Sequence, residues 1–382
     1  MSEPDWTPWA ASLADQVTGH APEWRAAVAA TPRHVLVPAW WERLSGSVNE
    51  EWTRHPTYEA ELFERAYADV TLVNRVGPRH VDQPPSDGEY ASGEPTSSST
   101  LPGLIVDMLH RLDPQPGDRV LDLGTGSGYC AALLAHRLGD EQVTSIDVDP
   151  YLTGTARHRL AELGRKPRIE TVDATGTIPG GPYDRIIATV SARPIPKSWI
   201  QAVAPGGRLV ATIAGTTLMI TATKDHADTA TGWVVSDSAS FMPTRSEPDY
   251  PPRLHDVYAE ARDAQGEYIR PPDGPIPDLW RETTLRNLYD LHAPGVETRS
   301  AELPDGRQLT WLLASDGSWA RAEHNDQRAV VHQRGPQLLW ASLERVRDEW
   351  EQARRYPLTD CTITLGADRS TLTTPSGAPY PI

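Results

Sequence analysis

Between residues 118 and 245 the chain alternates short apolar runs with stretches of helical spacing. The first run, Val120–Leu123, leads into a glycine-rich turn, and the following residues, Cys130–Leu138, have the apolar spacing of a helix. Four more apolar runs come next, at residues 142–146, 168–172, 183–189 and 204–212. Strands that alternate with helices are typical of α/β proteins, so this region predicts an α/β core.

The segment before this core has three stretches with helical spacing, at Asp5–Val17, Pro22–Ala30 and Glu59–Asp69. We therefore expect residues 1–85 to form a mainly helical cap. Residues 82–99 are polar and rich in proline, glycine and serine. A loop of this length inside a compact domain is usually either functional or disordered.

The C-terminal third has a different pattern from the core. Asp316-Gly317 lies between the runs Gln308–Ser315 and Trp319–Glu323, which is a strong signal for a hairpin. Residues 328–333 predict a third strand. A helix follows, with one apolar face formed by Leu339, Leu343, Val346 and Trp350.

With 382 residues the chain can hold two or three domains. We divide it into the cap at 1–85, the core at 86–245 and a C-terminal α+β accessory domain at 246–382. The formal net charge of −16 argues against a nucleic-acid partner, because phosphate contacts need a basic surface. Two cysteines are too few for a disulfide framework or a cysteine-based metal cluster. Without a membrane-spanning window or a signal peptide, we expect a cytoplasmic protein with no membrane partner.

The glycines at 124, 126 and 128 carry the strongest chemical signal. Their spacing is G-x-G-x-G, whereas a dinucleotide fingerprint requires G-x-G-x-x-G, and Tyr129 stands where the third glycine would be. Glycines let a ligand approach the backbone, and the helix start offers free N–H groups. Asp147 ends the second apolar run, about where an acidic residue reaches a ribose in nucleotide-binding βαβ units.

Asp173 and Ala174 follow the third apolar run, where a carboxylate could meet an adenine amino group. Taken in this order, the motifs resemble those of class I S-adenosylmethionine-dependent methyltransferases. The resemblance implies a Rossmann-like, doubly wound and mostly parallel sheet. It also implies S-adenosyl-L-methionine as cofactor, S-adenosyl-L-homocysteine as product, and no metal. The cofactor-binding residues it implies are Asp122, Gly124, Thr125, Gly126, Ser127, Gly128, Tyr129, Asp147, Val148, Asp173, Ala174 and Thr189.

Segments that flank these motifs resemble those of one branch, the protein L-isoaspartyl O-methyltransferases. Thr31–Pro38 is similar to the family's PRH-x-F-VP segment, and Ala66–Asp69 to the start of its substrate loop. Ser98–Pro102 is similar to the family's T-I-S-x-P motif, and Phe241–Pro243 to its Phe-Val-Pro segment. The resemblance implies that Thr100 occupies the position of the family's catalytic-site serine.

We therefore take the hydroxyls of Thr100, Ser98 and Ser99 as the catalytic candidates. Methyl transfer to a carboxylate is an in-line displacement, and an aspartate with a reference pKa of about 3.9 is already ionised at neutral pH. The protein must supply alignment and exclude water, so Thr100 or Ser98 would orient the acceptor with a hydrogen bond. The alternative for Ser99 or Thr100 is a helix N-cap, because a helix is predicted over Leu101–Leu112.

Two departures from the repair family point to a specialised substrate. The family's Ile-Gly-x-Gly-Gln is replaced by Asn74–His80 and the polar loop, and Gly215–Leu218 replaces an expected glutamine. We also expect the C-terminal domain to have no counterpart in the repair enzyme. These features are similar to methyltransferases that accompany ATP-grasp enzymes in graspetide maturation, whose relatives act in lanthipeptide pathways. We thus expect methylation of an aspartate in a crosslinked ribosomal peptide, followed by aspartimide and isoaspartate formation.

The alternative function is repair of isoaspartate in proteins; either way the partner is a peptide or protein carrying aspartate or isoaspartate. A non-catalytic binding module is a third possibility, although the glycine turn and both acidic positions argue against it. Arg75, Arg79 and His80 could attract an acidic peptide. We interpret them instead as solvated charges on a loop, and His34 as a structural histidine.

Overall fold

The computed structural model describes residues 5–44, 51–57, 60–83, 90–225, 229–245, 250, 254–325, 328–366 and 369–382. Parts of two predictions lie outside the described residues: the middle of the polar loop, at 84–89, and the start of the third helix, at Glu59. Within the described part of the chain, no helix combines the length and the apolar character that crossing a membrane requires.

The N-terminal part contains a small sheet, so the prediction of a mainly helical cap over 1–85 is wrong for its second half. Trp40 belongs to the hydrophobic cluster of the central sheet, whereas Trp41 packs in a separate cluster with Trp52 and Val76. Successive side chains of a strand face opposite sides; here both sides are buried, so the sequence lacks the alternation that predicts a strand. The elements are α1 (Thr7–Val17), α2 (Arg25–Ala29), α3 (Arg33–Leu36), β1 (Ala39–Arg43), β2 (Glu51–Pro56), α4 (Ala60–Ala66), β3 (Leu72–Val76), β4 (Arg79–His80), β5 (Tyr90–Ser92) and β6 (Pro95–Ser99).

Strands β5 and β6 lie where the sequence predicts a polar loop. In this sheet the strand order is β4-β3-β1-β2-β5, and β6 pairs antiparallel with β3. The pairing runs from Leu72 opposite Ser99 to Val76 opposite Pro95. Short hydroxyl side chains give β6 no apolar pattern, which is why the sequence did not predict this strand. Pairing with β3 fixes the position of Ser98 and Ser99.

The central region is the α/β core that the sequence predicts. Strand β7 (Val120–Leu123) pairs in parallel with β8 (Val143–Asp147) and β10 (Tyr183–Ala192), and β8 pairs in parallel with β9 (Arg168–Thr171). Strand β11 adds a further parallel pair to β10, and β12 and β13 continue the sheet in antiparallel fashion. The elements are α5 (Pro102–Leu112), β7 (Val120–Leu123), α6 (Tyr129–Leu138), β8 (Val143–Asp147), α7 (Pro150–Glu162), β9 (Arg168–Thr171), β10 (Tyr183–Ala192), α8 (Lys197–Ala202), β11 (Val203–Ile213), β12 (Met219–Lys224) and β13 (Ala230–Ser236).

The C-terminal part forms a second, antiparallel sheet with the strand order β14-β18-β17-β16-β15. The predicted hairpin is β16 and β17, and the predicted third strand is β18. The elements are α9 (His255–Asp263), β14 (Tyr268–Arg270), α10 (Thr283–His292), β15 (Glu297–Glu302), β16 (Gln308–Leu313), β17 (Trp319–His324), β18 (Ala329–Arg334), α11 (Leu339–Gln352), β19 (Thr362–Leu365), β20 (Ser370–Thr373) and β21 (Pro379–Pro381).

The last three strands return to the central sheet, so the division into a core at 86–245 and a separate domain at 246–382 is wrong. Strand β19 pairs with β13, and β20 and β21 extend the sheet beyond it. An unpaired edge at β13 would expose a row of backbone N–H and C=O groups. Ile363 and Leu372 also share one hydrophobic cluster with Leu209 and Ile220 of the core. The two parts are therefore joined by backbone pairing and by a common core.

Arg33 ties the N-terminal part to the start of α5. Its side chain is fully buried, and its two terminal nitrogens donate to five backbone carbonyl oxygens. Burial lowers the pKa of the guanidinium to about 10, which leaves it protonated at neutral pH. The acceptors are the carbonyls of Ala66, Ala68, Val70, Ser99 and Thr100, at distances from 2.9 to 3.3 Å.

We predict that Arg33→Lys lowers the free energy of unfolding by about 2–4 kcal/mol, because an ammonium cannot reproduce the fork that reaches five carbonyls. Urea denaturation measures this change. Arg25→Lys is the matched control, since Arg25 pairs with Asp15 at an exposed site and the change should cost less than about 0.5 kcal/mol. Equal effects of the two substitutions would contradict this account.

Asp122 lies fully buried below the glycine turn, at the third position of β7. Its Oδ2 accepts a hydrogen bond of 2.8 Å from Ser145, whose hydroxyl is 2.7 Å from that of Thr125. Burial raises the pKa of Asp122 to about 7, although hydrogen bonds from Ser145, Cys130 and Thr189 act in the opposite direction. The carboxyl group therefore changes its protonation near neutral pH.

The folded chain binds this proton more tightly than the unfolded chain, whose aspartates titrate near pH 4. Asp122 therefore stabilises the fold at low pH, and this contribution is lost as the pH rises through about 7. We compare the free energy of unfolding of Asp122→Asn with that of the wild type at about pH 5 and about pH 8. We predict that the difference between them shifts in favour of the variant by at least about 1.4 kcal/mol from the lower to the higher pH. Urea denaturation at both pH values measures it; a constant difference would refute the assignment.

Candidate active site

A cavity of about 400 Å³ opens at the carboxyl ends of the parallel strands. The strand order reverses there between β7 and β10, which is the position at which α/β sheets bind ligands. The cavity wall includes nine of the residues that the sequence singled out: Ser98, Thr100, Gly124, Gly126, Asp147, Val148, Asp173, Ala174 and Thr189.

The glycine turn forms the floor of this cavity. A Cβ added at Gly124 would lie 2.8 Å from Cγ1 of Val190, and the φ angle of +101° is itself unfavourable for other residues. Gly126 has a φ of +51°, and its backbone nitrogen donates to Oδ2 of Asp147 at 3.0 Å. Bare backbone therefore faces the cavity at both positions.

Asp147 ends β8 with both carboxylate oxygens held by backbone groups. Oδ2 accepts from the nitrogen of Gly126, and Oδ1 accepts from the nitrogen of Asp149 at 3.0 Å. Burial raises the pKa of Asp147, whereas these two N–H groups and the charge of Arg245 favour the ionised form. Each oxygen keeps a second lone pair, so the carboxylate can still accept hydrogen bonds from a ligand.

Asp173 follows β9 on the adjoining wall. Its Oδ1 accepts from the backbone nitrogen of Thr175 at 2.8 Å and from the hydroxyl at 2.7 Å, so the local turn fixes the carboxylate. Thr189 lies across the cavity in β10, and its hydroxyl donates to backbone oxygens of Leu123 and Gly124. Consecutive strands thus bring two carboxylates to one edge of the sheet.

Ser98 and Thr100 also line the cavity, and the carbonyl of Ser98 lies next to Gly126. The alternative role of Thr100 as helix cap is wrong, because α5 begins after Leu101 and has no side-chain cap. Its first-turn N–H groups are satisfied from another segment: Gly103 donates to Asp69 at 2.7 Å, and Leu101 donates to the hydroxyl of Thr71 at 3.2 Å. The Thr100 hydroxyl is therefore not required for helix capping.

Six predicted site residues do not line this cavity. Ser99, Thr125, Ser127 and Tyr129 surround a smaller space of about 40 Å³ behind the glycine turn. Asp122 lies beneath the turn, and Gly128 faces away, since a Cβ there would meet Ala156 at 3.3 Å. The cofactor contacts expected of Asp122, Thr125, Ser127, Gly128 and Tyr129 remain predictions, and Ser99, which lies outside the main cavity, is not expected to contact the acceptor.

The sequence missed a buried charge cluster beside the cavity. The interpretation of Arg75 and His80 as solvated loop charges is wrong, because both are buried against Asp149. Arg79 instead donates to the carbonyl of Tyr90. Arg245 lines the cavity and also approaches Asp149. The pair Asp149-Pro150 is typical of a helix start, but nothing in the sequence links Asp149 to the side chains of Arg75, His80 and Arg245.

His34 has the structural role that the sequence predicts. Its Nδ1 is hydrogen-bonded to the hydroxyl of Tyr67, and its ring packs against Phe63. The neighbouring Arg33 contacts the carbonyls of Ser99 and Thr100. The segment that contains both residues therefore supports the hydroxyl-lined part of the cavity from behind.

Comparison with known proteins agrees with this geometry. Residues 86–247 match the family described as protein-L-isoaspartate(D-aspartate) O-methyltransferase (PCMT). The protein-L-isoaspartate O-methyltransferase of Methanopyrus kandleri is 32% identical over 161 residues, which cover 41% of this chain and 63% of that protein, just under two thirds of its length. The enzyme of the same name from Methanoculleus marisnigri is 35% identical over 172 residues, which cover 42% of this chain and 76% of that protein.

A solved structure named protein-L-isoaspartate O-methyltransferase aligns with 97% of this chain and 99% of its own, with a TM-score of 0.52 and 17% sequence identity. At this identity the likeness concerns the fold alone. It nevertheless extends over the C-terminal elements, so the expectation that these have no counterpart in such enzymes is wrong at the level of the fold. From the sequence matches, the chain belongs to the protein-L-isoaspartate O-methyltransferase family.

Proposed function

We propose that this protein is an S-adenosylmethionine-dependent carboxyl O-methyltransferase that acts on isoaspartyl residues of peptides or proteins. One observation carries the proposal. A single cavity is lined by the glycine turn, two strand-end carboxylates and the hydroxyl residues Ser98 and Thr100. The names of the relatives support the isoaspartyl substrate rather than the crosslinked peptide that the sequence led us to expect.

The part of the cavity formed by the glycine turn and the two carboxylates suits an adenosyl cofactor. Asp147 would accept hydrogen bonds from the ribose hydroxyls, and Asp173 from the adenine amino group. Val148 and Ala174 lie beside them on the cavity wall and offer apolar surface to the base. The backbone at Gly124 and Gly126 leaves room for the rest of the molecule, since no Cβ projects there. When bound, the cofactor supplies an electrophilic methyl group.

The part of the cavity lined by Ser98 and Thr100 suits a carboxylate acceptor. Ser98 and Thr100 are neutral hydrogen-bond donors, and the acceptor carboxylate is already ionised near neutral pH. Neutral donors orient an anion without withdrawing its charge into an ion pair, so the nucleophile keeps its reactivity. The protein's contribution is then alignment of the acceptor and exclusion of water from a partly enclosed site.

Methylation of an aspartate in a crosslinked peptide is the second candidate function. It depended partly on the C-terminal extension, and a chain named as an isoaspartyl enzyme aligns over that extension. What remains in its favour is the changed segment 74–99, which here forms part of a sheet next to the part of the cavity lined by Ser98 and Thr100. A comparison of substrates distinguishes the two.

We predict that a linear hexapeptide with one isoaspartyl residue is methylated with a kcat/KM about 100-fold higher than the same peptide with aspartate. The two differ by the position of one methylene, and a shaped pocket discriminates against such a change by about that factor. Mass spectrometry of the methyl ester measures turnover. A side-chain-crosslinked cyclic peptide with aspartate is the third substrate; its turnover, with none of the isoaspartyl peptide, would favour peptide maturation instead.

We predict that Thr100→Val lowers kcat/KM for the isoaspartyl peptide about 10- to 100-fold, the loss expected for one hydrogen bond to a charged group. Cofactor affinity, measured by calorimetry, should stay close to that of the wild type. Ser99→Ala is the matched control, because Ser99 does not line the main cavity. Full activity of Thr100→Val would remove Thr100 from the acceptor site.

A further inference from the structure

Asp149 is the centre of the buried charge cluster beside the cavity. Its Oδ1 caps α7 by accepting from the backbone nitrogens of Tyr151 and Leu152, at 2.9 and 3.3 Å. Among the described residues, two arginines and one histidine approach its Oδ2: Arg75 Nε at 3.4 Å, His80 Nε2 at 3.3 Å and Arg245 at 3.7 Å. Each of these four side chains is at most 10% exposed.

This cluster favours the ionised form of Asp149. Burial alone would raise the pKa of the carboxyl group, but the hydrogen bond and charge of His80, with the backbone N–H groups, lower it to about 2. Asp149 therefore stays negative throughout the neutral range and attracts Arg245 at every working pH. Its own backbone nitrogen also donates to Asp147, so the cluster is one hydrogen bond away from the residue proposed to hold the ribose.

Arg245 ends a segment, Phe241–Arg245, whose residues all line the cavity. The backbone of this segment follows the end of β10 as far as Thr244: Ser191 donates its backbone N–H to the carbonyl of Met242 at 2.9 Å, and Thr244 donates to the carbonyl of Ser191 at 2.7 Å. At its far end Arg245 reaches Asp149, at the start of α7. In the sheet, β7 lies between β10 and the strand β8 that leads into α7. The side chain of Arg245 therefore spans the carboxyl end of β7, from the segment on β10 to the start of α7.

We infer that Arg245 is a positioning residue whose side chain closes the cavity over the bound cofactor through its ion pair with Asp149. The inference rests on the proposed function, because it takes the ligand to be an adenosyl sulfonium or its thioether product. Because this side chain spans the edge of the sheet beside Asp147, the contact between Arg245 and Asp149 must open before the ligand leaves. The pair therefore governs the rate of cofactor dissociation more than the rate of its entry.

A variant at Arg245 should still fold, which makes the inference testable. In Arg245→Gln the carboxylate of Asp149 keeps Arg75, His80 and two backbone N–H groups, so no buried charge is left unpaired. Arg245→Lys keeps the positive charge and should restore most of the effect. Arg165→Gln is the matched control: Arg165 makes a comparably long contact, 3.9 Å, with Asp140 and does not line the cavity.

The probe is S-adenosyl-L-homocysteine, with association and dissociation rates measured by surface plasmon resonance on the full chain. We expect Arg245→Gln to raise the dissociation rate about 10-fold with an association rate within about threefold of wild type. Arg245→Lys should lie within about threefold of wild type in both rates, and Arg165→Gln should match wild type. The melting temperature of each ligand-free variant, measured in parallel, should differ little from that of the wild type.

Three results would overturn the inference, and the first two leave the proposed function standing. If the wild type binds the probe and Arg245→Gln releases it at the wild-type rate, the closing role of Arg245 is wrong while the cofactor assignment stands. If Arg245→Gln binds more weakly only through slower association, the contact shapes the open site and does not hold it closed. If the wild type itself does not bind S-adenosyl-L-homocysteine, both the cofactor proposal and this inference fail.

Discussion

The buried guanidinium of Arg33 is the contact on which the rest of the site depends. It donates to backbone carbonyls on both sides of β3, from Ala66 to Thr100, and so fixes the segment that carries the acceptor hydroxyls. A buried arginine that binds only carbonyl oxygens is costly to dehydrate and is stable only when its donors are satisfied in a fixed geometry. The guanidinium also lies over the ring of Tyr129 at the start of α6, so both parts of the cavity share one support.

The cavity is lined by both carboxylates and neutral hydroxyl groups, and this combination suits the proposed chemistry. Asp147 and Asp173 lie in the cofactor part, where a ligand with hydroxyl and amino donors and a positive sulfonium would be stabilised by acceptors. Ser98 and Thr100 lie in the acceptor part, where an anion needs donors. Among the described residues that line the cavity, Arg245 is the only cation, and its charge is directed at Asp149. An acceptor carboxylate would thus bind to the hydroxyls of Ser98 and Thr100 and not form an ion pair with Arg245.

The C-terminal part is a structural continuation of the core as well as a second sheet. Arg193, just after β10, donates to the carbonyls of Asp290, Leu291 and Pro381, which joins the core to α10 and to the last strand. Strand β19 satisfies the edge of β13. Removal of the C-terminal part would expose both a sheet edge and the apolar side chains that share the common core. The extension thus stabilises the site from the side opposite to the N-terminal part.

The central α/β region, the glycine turn and the strand-end positions of Asp147 and Asp173 could be predicted from the sequence, because they depend on local patterns: apolar runs, glycine spacing and residues next to strand ends. The sequence also identified Ser98 and Thr100 by motif. Three features became visible only in the folded chain: β1 and β6 are strands, β19–β21 rejoin the core, and Arg75, His80 and Arg245 meet at Asp149. Those features depend on contacts between residues far apart in the chain, since strand pairing and burial of charge are decided by the partner and not by the local sequence.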